Sequence, residues 1–247
     1  MKPTVQLAMP LFATAAAPDA KRVLAAYAEL FPQAPAPRHA EKDGVHSLEF
    51  DGHVVMITHI GAPVPAQEID GALRRSWMWQ GPPGAARAHE SHAIVASPPE
   101  ADPITCALAV ARVSAALLHA SDGVALYWGA SQQVHKASVA KSMAESDLPT
   151  PLWVGITLSG AAPKGPFSAA THGLEALGHK EFEARAAHMG IGDLRMTLLD
   201  LASYVLRRGP VLKDGQTFGP DEGTHWTVRH VASELVPGRD VIVLGIP

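Results

Sequence analysis

The chain has 247 residues, of which 47% are hydrophobic and 18% are charged, so it has the composition of a globular protein that can bury a core. Its formal net charge of −4 at pH 7 offers no basic surface for nucleic acid or for an anionic membrane. Its single cysteine excludes an intrachain disulfide and fits the reducing cytoplasm, which is where we expect the protein to act.

The first hundred residues carry local signals for alternating strands and helices. Alternating apolar residues near the N-terminus favour a strand over a signal peptide, which is the alternative. Asp19 is typical of a helix N-cap, and Asp51–Gly52 suits a type I′ turn between two strands. The predicted strand, helix, strand, strand, helix and strand lie at about 3–12, 19–31, 46–50, 53–60, 67–79 and 91–97. This order is that of a ferredoxin-like sandwich.

The rest of the chain begins with an alanine-rich helix that Asp102 is expected to cap. Cys106 lies among the apolar residues of that helix, which predicts a buried structural thiol rather than a nucleophile. A long helix is predicted to start at Asp193 and to stop at the sequence RRGP, residues 207–210. The other predicted elements are a strand, a helix, a strand, two extended segments and two strands, at about 124–128, 134–145, 151–158, 167–174, 179–185, 224–230 and 240–245.

We therefore predict an α+β protein with mixed, mostly antiparallel sheets, helices packed on one face, and two ferredoxin-like-related halves. The predicted halves are residues 1–98 and 99–247, and the pattern leaves open whether they form one compact unit.

The segment VALYWGASQQVH, residues 124–135, contains a serine and a histidine that could belong to an active site. It lacks the second glycine of a G-x-S-x-G nucleophile turn. We interpret it as a core strand followed by a helix that Ser131 caps. Trp128 and His135 remain candidate cleft residues.

The segment HKEFE places His179, Glu181 and Glu183 on one face of a predicted strand. Two carboxylates and an imidazole could bind a divalent ion or transfer protons. A solvated face is the simpler interpretation, so we predict no metal and no cofactor and keep these three residues as the alternative ligand set. The chain also lacks the HExxH and paired CxxC motifs of zinc sites.

Two further segments are candidates for contacts. Trp77 and Trp79 end a predicted helix, where they either pack in the core or anchor a partner protein. Lys213 and Asp214 lie in a turn-rich loop, where they either face a ligand or only form the turn.

Several phrases together resemble an uncharacterised bacterial family, domain of unknown function 4261. They are VALYWG, PLWVGITL, THGLEALGHKEFE, LASYVLRRGPVLKDGQTFG and WTVRH, and the resemblance is strongest over residues 150–230. It matches the family's glycine–histidine–acid phrase to Gly178, His179, Glu181 and Glu183, and its lysine–aspartate–glycine turn to Lys213, Asp214 and Gly215. The resemblance implies no established activity. Similar families occur near bacterial toxin and secretion genes, which suggests an immunity protein.

The leading hypothesis is a cytoplasmic protein that binds another protein, as an immunity or accessory partner of a bacterial toxin. The sequence contains no catalytic motif that would favour an enzyme. Its acidic contact residues would be Glu41, Asp43, Asp70, Glu181 and Glu183, and its interface would include Trp77, Trp79, Glu181 and Glu183. The alternative is a small-ligand-binding protein or a hydrolase-type enzyme with a cleft between the halves, lined by Trp128, His135, His172, His179, Glu181 and Lys213. A homodimer that pairs the C-terminal strand VIVLGI is compatible with either hypothesis.

Overall fold

The structure of the chain, a computed structural model, describes residues 4–50, 52–99, 102–160, 167–187, 189–219, 223, 225–236 and 238–246. It contains helices and two mostly antiparallel sheets, which confirms the α+β prediction. The chain divides into two compact units, Lys2–Trp153 and Val154–Pro247, called the N-terminal and C-terminal units below.

The N-terminal unit has a seven-stranded sheet whose described neighbours all pair antiparallel, in the order β2-β3-β4-β5-β1-β6-β7. Its strands β1 to β7 are Gln6–Phe12, Arg38–Lys42, Val45–Phe50, His53–Ile60, Ser91–Ser97, Gly123–Trp128 and Gln133–Lys136. Its helices α1 to α6 are Ala20–Leu30, Ala66–Arg75, Gly84–Arg87, Pro103–Ala120, Ala137–Ala144 and Thr150–Trp153.

The boundary between the units differs from the predicted break after residue 98. Strand β6 pairs with β1, and β7 pairs with β6, so the segment up to Trp153 completes the first sheet instead of opening a second one. The strand order also differs from that of a ferredoxin-like sandwich, which would place β1 between β4 and β5. Here β5 lies between β4 and β1.

Helices cover both faces of the seven-stranded sheet, not one face as predicted. Helices α1 and α4 pack together, and α4 packs on β1, β5 and β6. On the opposite face, Leu11 of β1 and Ala125 of β6 share a core cluster with Ile69 of α2 and Ala86 of α3. Because β1 has apolar residues on both faces, it can be covered on both sides, as a central strand requires.

Several helices and strands lie where the caps and turns in the sequence predict them. Asp19 accepts a hydrogen bond from the backbone N–H of Arg22 and caps α1, and Asp102 caps α4. Cys106 is buried, as expected. Strands β3 and β4 form the predicted hairpin, although Asp51 of its turn lies outside the described residues.

Helix α4 is the one described helix that is long and apolar enough to cross a membrane by length and composition. However, 67% of it is buried inside the protein, as is usual for a core helix. Its burial among β1, β5 and β6 accounts for its apolar surface.

The segment VALYWGASQQVH is a β-hairpin, so the prediction of a helix that begins near residue 134 and is capped by Ser131 is wrong. Ser131 donates from Oγ to the carbonyl oxygen of Leu152, and α5 begins only at Ala137. The predicted strand at 151–158 likewise begins as a short helix, α6, before β8. In both places, pairing with a neighbouring strand decides where extended backbone starts.

The C-terminal unit has a six-stranded sheet in the order β11-β12-β13-β10-β9-β8, in which only β10 and β13 pair in parallel among the described strands. Strands β8 to β13 are Gly155–Gly160, Phe167–His172, Phe182–Ala187, Thr217–Phe218, Trp226–Ala232 and Asp240–Gly245, and helix α7 is Ile191–Arg208.

Strand β13 is an interior strand, with β12 on one side and β10 on the other. A dimer formed by pairing this strand across a two-fold axis is therefore excluded, because both of its edges are already hydrogen-bonded. Helix α7 ends as predicted, with Gly209 at a φ of 84° after Arg208.

Candidate ligand pocket in the C-terminal unit

Three neighbouring strands of the C-terminal sheet bring one row of side chains together. Phe182 of β10 is in register with Ile242 of β13, and Ile242 is in register with His230 of β12. Side chains that are paired in register share a face of the sheet. This row forms the base of a pocket of about 610 Å³, including the part that opens to solvent.

The end of α7 and the loop after it close the apolar side of this pocket. Val205 comes from the helix, and Pro210 and Leu212 come from the loop. The turn at Gly209 needs a positive φ, which glycine adopts without a steric penalty. Apart from the imidazole of His230, the base and this wall therefore consist of hydrocarbon and the aromatic ring of Phe182.

The polar side of the pocket is formed by His179 and Lys180, which precede β10, together with His230. His230 Nε2 lies 2.9 Å from the carbonyl oxygen of Leu212, and its backbone N–H donates to Asp214 Oδ1 at 2.8 Å. Burial lowers the pKa of His179 below its ordinary value, so its imidazole is neutral near pH 7. The pocket thus combines one ammonium group and two imidazoles with an apolar base.

Glu181 fixes the segment that carries His179 and Lys180. Its carboxylate accepts hydrogen bonds from Thr171 Oγ1 at 2.7 Å, from the Gly173 N–H at 2.8 Å and from the Glu175 N–H at 3.1 Å. Burial raises the pKa of this carboxyl, and the three hydrogen bonds oppose that shift. Glu181 is therefore a structural clamp between the end of β9 and the start of β10.

Glu183 lies on the other face of β10 from Phe182, because successive strand residues alternate. It accepts two hydrogen bonds from Arg185 and one from Ser233 Oγ. Arg185 also forms an ion pair with Glu234 at 2.6 Å. Glu183 is completely buried in this network, so the interpretation of Glu181 and Glu183 as a solvated face is wrong.

The alternative metal set of His179, Glu181 and Glu183 does not form. His179 opens into the pocket, whereas the two carboxylates are held by hydrogen bonds outside it. Within the described ranges, no group of three or more His, Cys, Asp or Glu side chains is arranged to hold a metal ion.

The remaining cleft candidates have different surroundings. Trp128 is buried in the N-terminal unit with its ring 6.4 Å from that of Trp153. His135 is 1% exposed, and neither ring nitrogen has a hydrogen-bond partner among the described residues. His172 is half-buried at the end of β9, and Lys213 is exposed in its turn. Of the six, His179 is the one that lines this pocket.

Most of the residues predicted to contact a partner protein are at least partly buried or are paired within the chain. Trp77 and Trp79 are half-buried, and Trp79 packs against the core cluster with Lys136 Nζ 5.9 Å from its ring. Asp70 forms an ion pair with Arg87. Glu181 and Glu183 are buried and cannot contact a partner. The two exposed acidic candidates on the edge hairpin are Glu41 and Asp43.

The fold and the pocket define an α+β protein whose C-terminal unit encloses a small amphipathic site. Residues 170–245 match the model of a family described as a domain of unknown function, DUF4261, which confirms the resemblance seen in the sequence. The match contains the described pocket residues. No curated protein and no solved structure matches the chain.

Sequence reasoning missed Lys180, His230 and Ile242 as pocket residues. His230 belongs to the phrase WTVRH, which carries no signal of its own for a pocket. It lies 51 residues after His179, and no spacing rule relates the two positions. Only the strand register brings them to one pocket.

Proposed function

We propose that the C-terminal unit binds a small amphipathic anion, with an apolar body and a carboxylate or phosphate head. The observation that carries the proposal is the placement of Lys180 and the imidazole of His179 at the edge of an apolar base. An ammonium and an imidazole N–H donate to anionic oxygens, and buried apolar area stabilises a hydrocarbon body. Among the described residues, no side chain lining the pocket is acidic, so nothing there repels an anion.

Binding without catalysis agrees best with the lining of this pocket. Its described side chains include no serine, threonine, cysteine or carboxylate, and we assign Lys180 and His179 to holding the anion. The imidazole of His230 is engaged with the carbonyl oxygen of Leu212, which orients it as a fixed wall.

The test is a titration of the isotope-labelled protein with hexanoate, followed by NMR of backbone amides, with neutral hexanamide as the comparison ligand. We expect hexanoate to shift amides around Lys180 and Leu212, and Lys180→Met to weaken binding by about tenfold, or about 1.4 kcal/mol. Lys213→Met is the matched control, because Lys213 is exposed and does not line the pocket. Equal binding of hexanamide, or equal weakening in both variants, would contradict the proposal.

Protein binding is a second candidate function, supported by exposed apolar residues on the N-terminal sheet. Val45 of β3 and Met56 of β4 are 36% and 41% exposed. Met56 is in register with Ser47, so Met56 and Val45 lie on the same face of the hairpin. These two side chains are the candidate contacts for a partner protein, and an immunity or accessory role in a bacterial cytoplasm belongs to this proposal.

Affinity purification from the source organism tests this second candidate. We expect a stoichiometric protein to elute with the wild type and to be lost with Met56→Asp. Met196→Asp serves as the control, since Met196 is also exposed, at 52%, but lies on α7 of the other unit. Retention of the same partner by Met56→Asp would exclude this face as the interface.

A further inference from the structure

An aromatic cleft lies in the N-terminal unit between α1, α4 and the β3–β4 hairpin. It is lined by Tyr27, Phe50, His53 and Arg112, with Thr105 and Leu108 beside Arg112 along α4, and it has a volume of about 490 Å³ including its open side. The ring of Phe50 is 5.7 Å from that of Tyr27 and stacks on His53 at 5.0 Å. The walls of the cleft are therefore flat and mostly apolar.

Arg112 stands at the boundary between this cleft and a second groove that contains Phe31 and Asp147. Its side chain is 18% exposed, and its guanidinium carbon lies 5.5 Å from the centre of the Phe31 ring. A guanidinium so far removed from water is stable only when its N–H groups are paired.

The pairing of Arg112 is incomplete among the described residues. Its Nη2 donates to Asp147 Oδ1 at 3.0 Å, while its Nε is enclosed and has no hydrogen-bond partner. Nε and Nη2 form the side-on fork with which a guanidinium holds a carboxylate through two parallel hydrogen bonds. Asp147 occupies one arm of this fork, and its own side chain is 92% exposed.

We propose that the aromatic cleft binds a small aromatic monocarboxylate whose carboxylate displaces Asp147 and engages both Nε and Nη2 of Arg112. The ligand's ring packs against the half-buried rings of Phe50 and His53, where aromatic contacts are favourable, and the buried Tyr27 supports Phe50 from below. The ligand's carboxylate takes the place of Asp147, so the guanidinium of Arg112 stays paired, while the side chain of Asp147, which is 92% exposed, returns to water. The planar fork selects a planar carboxylate over a compact anion. This site is independent of the pocket in the C-terminal unit.

The test is a titration of the full chain with 3-phenylpropionate, followed by backbone amide NMR, with 3-phenylpropionamide as the neutral comparison. We expect shifts around Arg112 and Phe50, and at least about tenfold weaker binding by Arg112→Lys, which keeps the charge but loses the fork. Asp147→Ala is expected to bind about two- to fivefold more tightly, because the competing carboxylate is gone and such a pair contributes at most about 1 kcal/mol. Asp70→Ala removes another acid of an ion pair in the same unit and should leave the affinity unchanged.

Asp147→Ala keeps the proposal falsifiable even if Arg112→Lys does not fold, since Asp147 is on the surface. The proposal is overturned if neither the wild type nor Asp147→Ala binds at millimolar ligand, if the amide binds as well as the acid, or if Asp147→Ala leaves the affinity unchanged. Lys180→Met separates the two sites: it should weaken hexanoate binding in the C-terminal unit and leave the shifts around Arg112 unaltered.

Discussion

Replacement of Glu181 by alanine is expected to lower the free energy of unfolding of the C-terminal unit by about 3 kcal/mol. The carboxylate accepts hydrogen bonds from the hydroxyl of Thr171 and from the backbone N–H groups of Gly173 and Glu175. In the alanine variant these donors lose their acceptor in a buried setting, and each such loss costs roughly 1 kcal/mol or more. The segment that places His179 and Lys180 would also lose its anchor, so hexanoate binding should fall with stability.

Glu181→Gln is the matched control for this effect. Its amide oxygen can still accept from the two backbone N–H groups, and its NH₂ group can donate to Thr171 Oγ1. Because burial raises the pKa of the Glu181 carboxyl, the charged form is costly in the folded state, and a neutral amide avoids that cost. Urea denaturation and amide hydrogen exchange at Gly173 and Glu175 measure the difference. Equal stability of the alanine and glutamine variants would show that Glu181 is not a clamp.

His135→Leu is expected to reduce the acid sensitivity of the N-terminal unit. Burial lowers the pKa of His135 from 6.5 to about 4. Between these values the unfolded chain takes up a proton that the folded chain excludes, so stability is full above pH 7 and is lost as the pH falls. At 1.36 kcal/mol per pKa unit, the loss between pH 7.5 and 4.5 is roughly 2.5 kcal/mol.

The measurement is the free energy of unfolding from urea titrations at pH 7.5 and 4.5. The wild type should lose about 2.5 kcal/mol more than His135→Leu over this range. At pH 7.5 the leucine variant should be at least as stable, since both ring nitrogens of His135 are buried without a partner among the described residues. His119→Leu, a change at a more exposed histidine of α4, is the control. An unchanged pH dependence in His135→Leu would contradict the assignment.

Elements with strong local signals were predictable from the sequence. Helix α1 begins after the N-cap Asp19, α4 begins after the N-cap Asp102, and α7 ends at Gly209, each as the residue types indicate. The β3–β4 hairpin was also predictable, because a short turn fixes the register of two alternating strands. These features depend on residues within a few positions of one another.

The conformation of short elements without such signals depends on the strands that pair with them. Strand β7 has four residues and was predicted as helix, because nothing in its own sequence shows that β6 offers it hydrogen bonds. The pocket shows the same limit: His179 was a candidate, but its link to His230 and Ile242 depends on the parallel pairing of β10 with β13 and the antiparallel pairing of β13 with β12.

By itself, the sequence determined the α+β class, the capped helices and the family resemblance of the C-terminal segment. The tertiary structure alone decided that Glu181 and Glu183 are buried, that His179 faces an apolar pocket, and that Arg112 lies in an aromatic cleft. The physical reason is that caps and turns are set by interactions between nearby residues. Burial and strand pairing instead depend on surfaces supplied by distant parts of the chain.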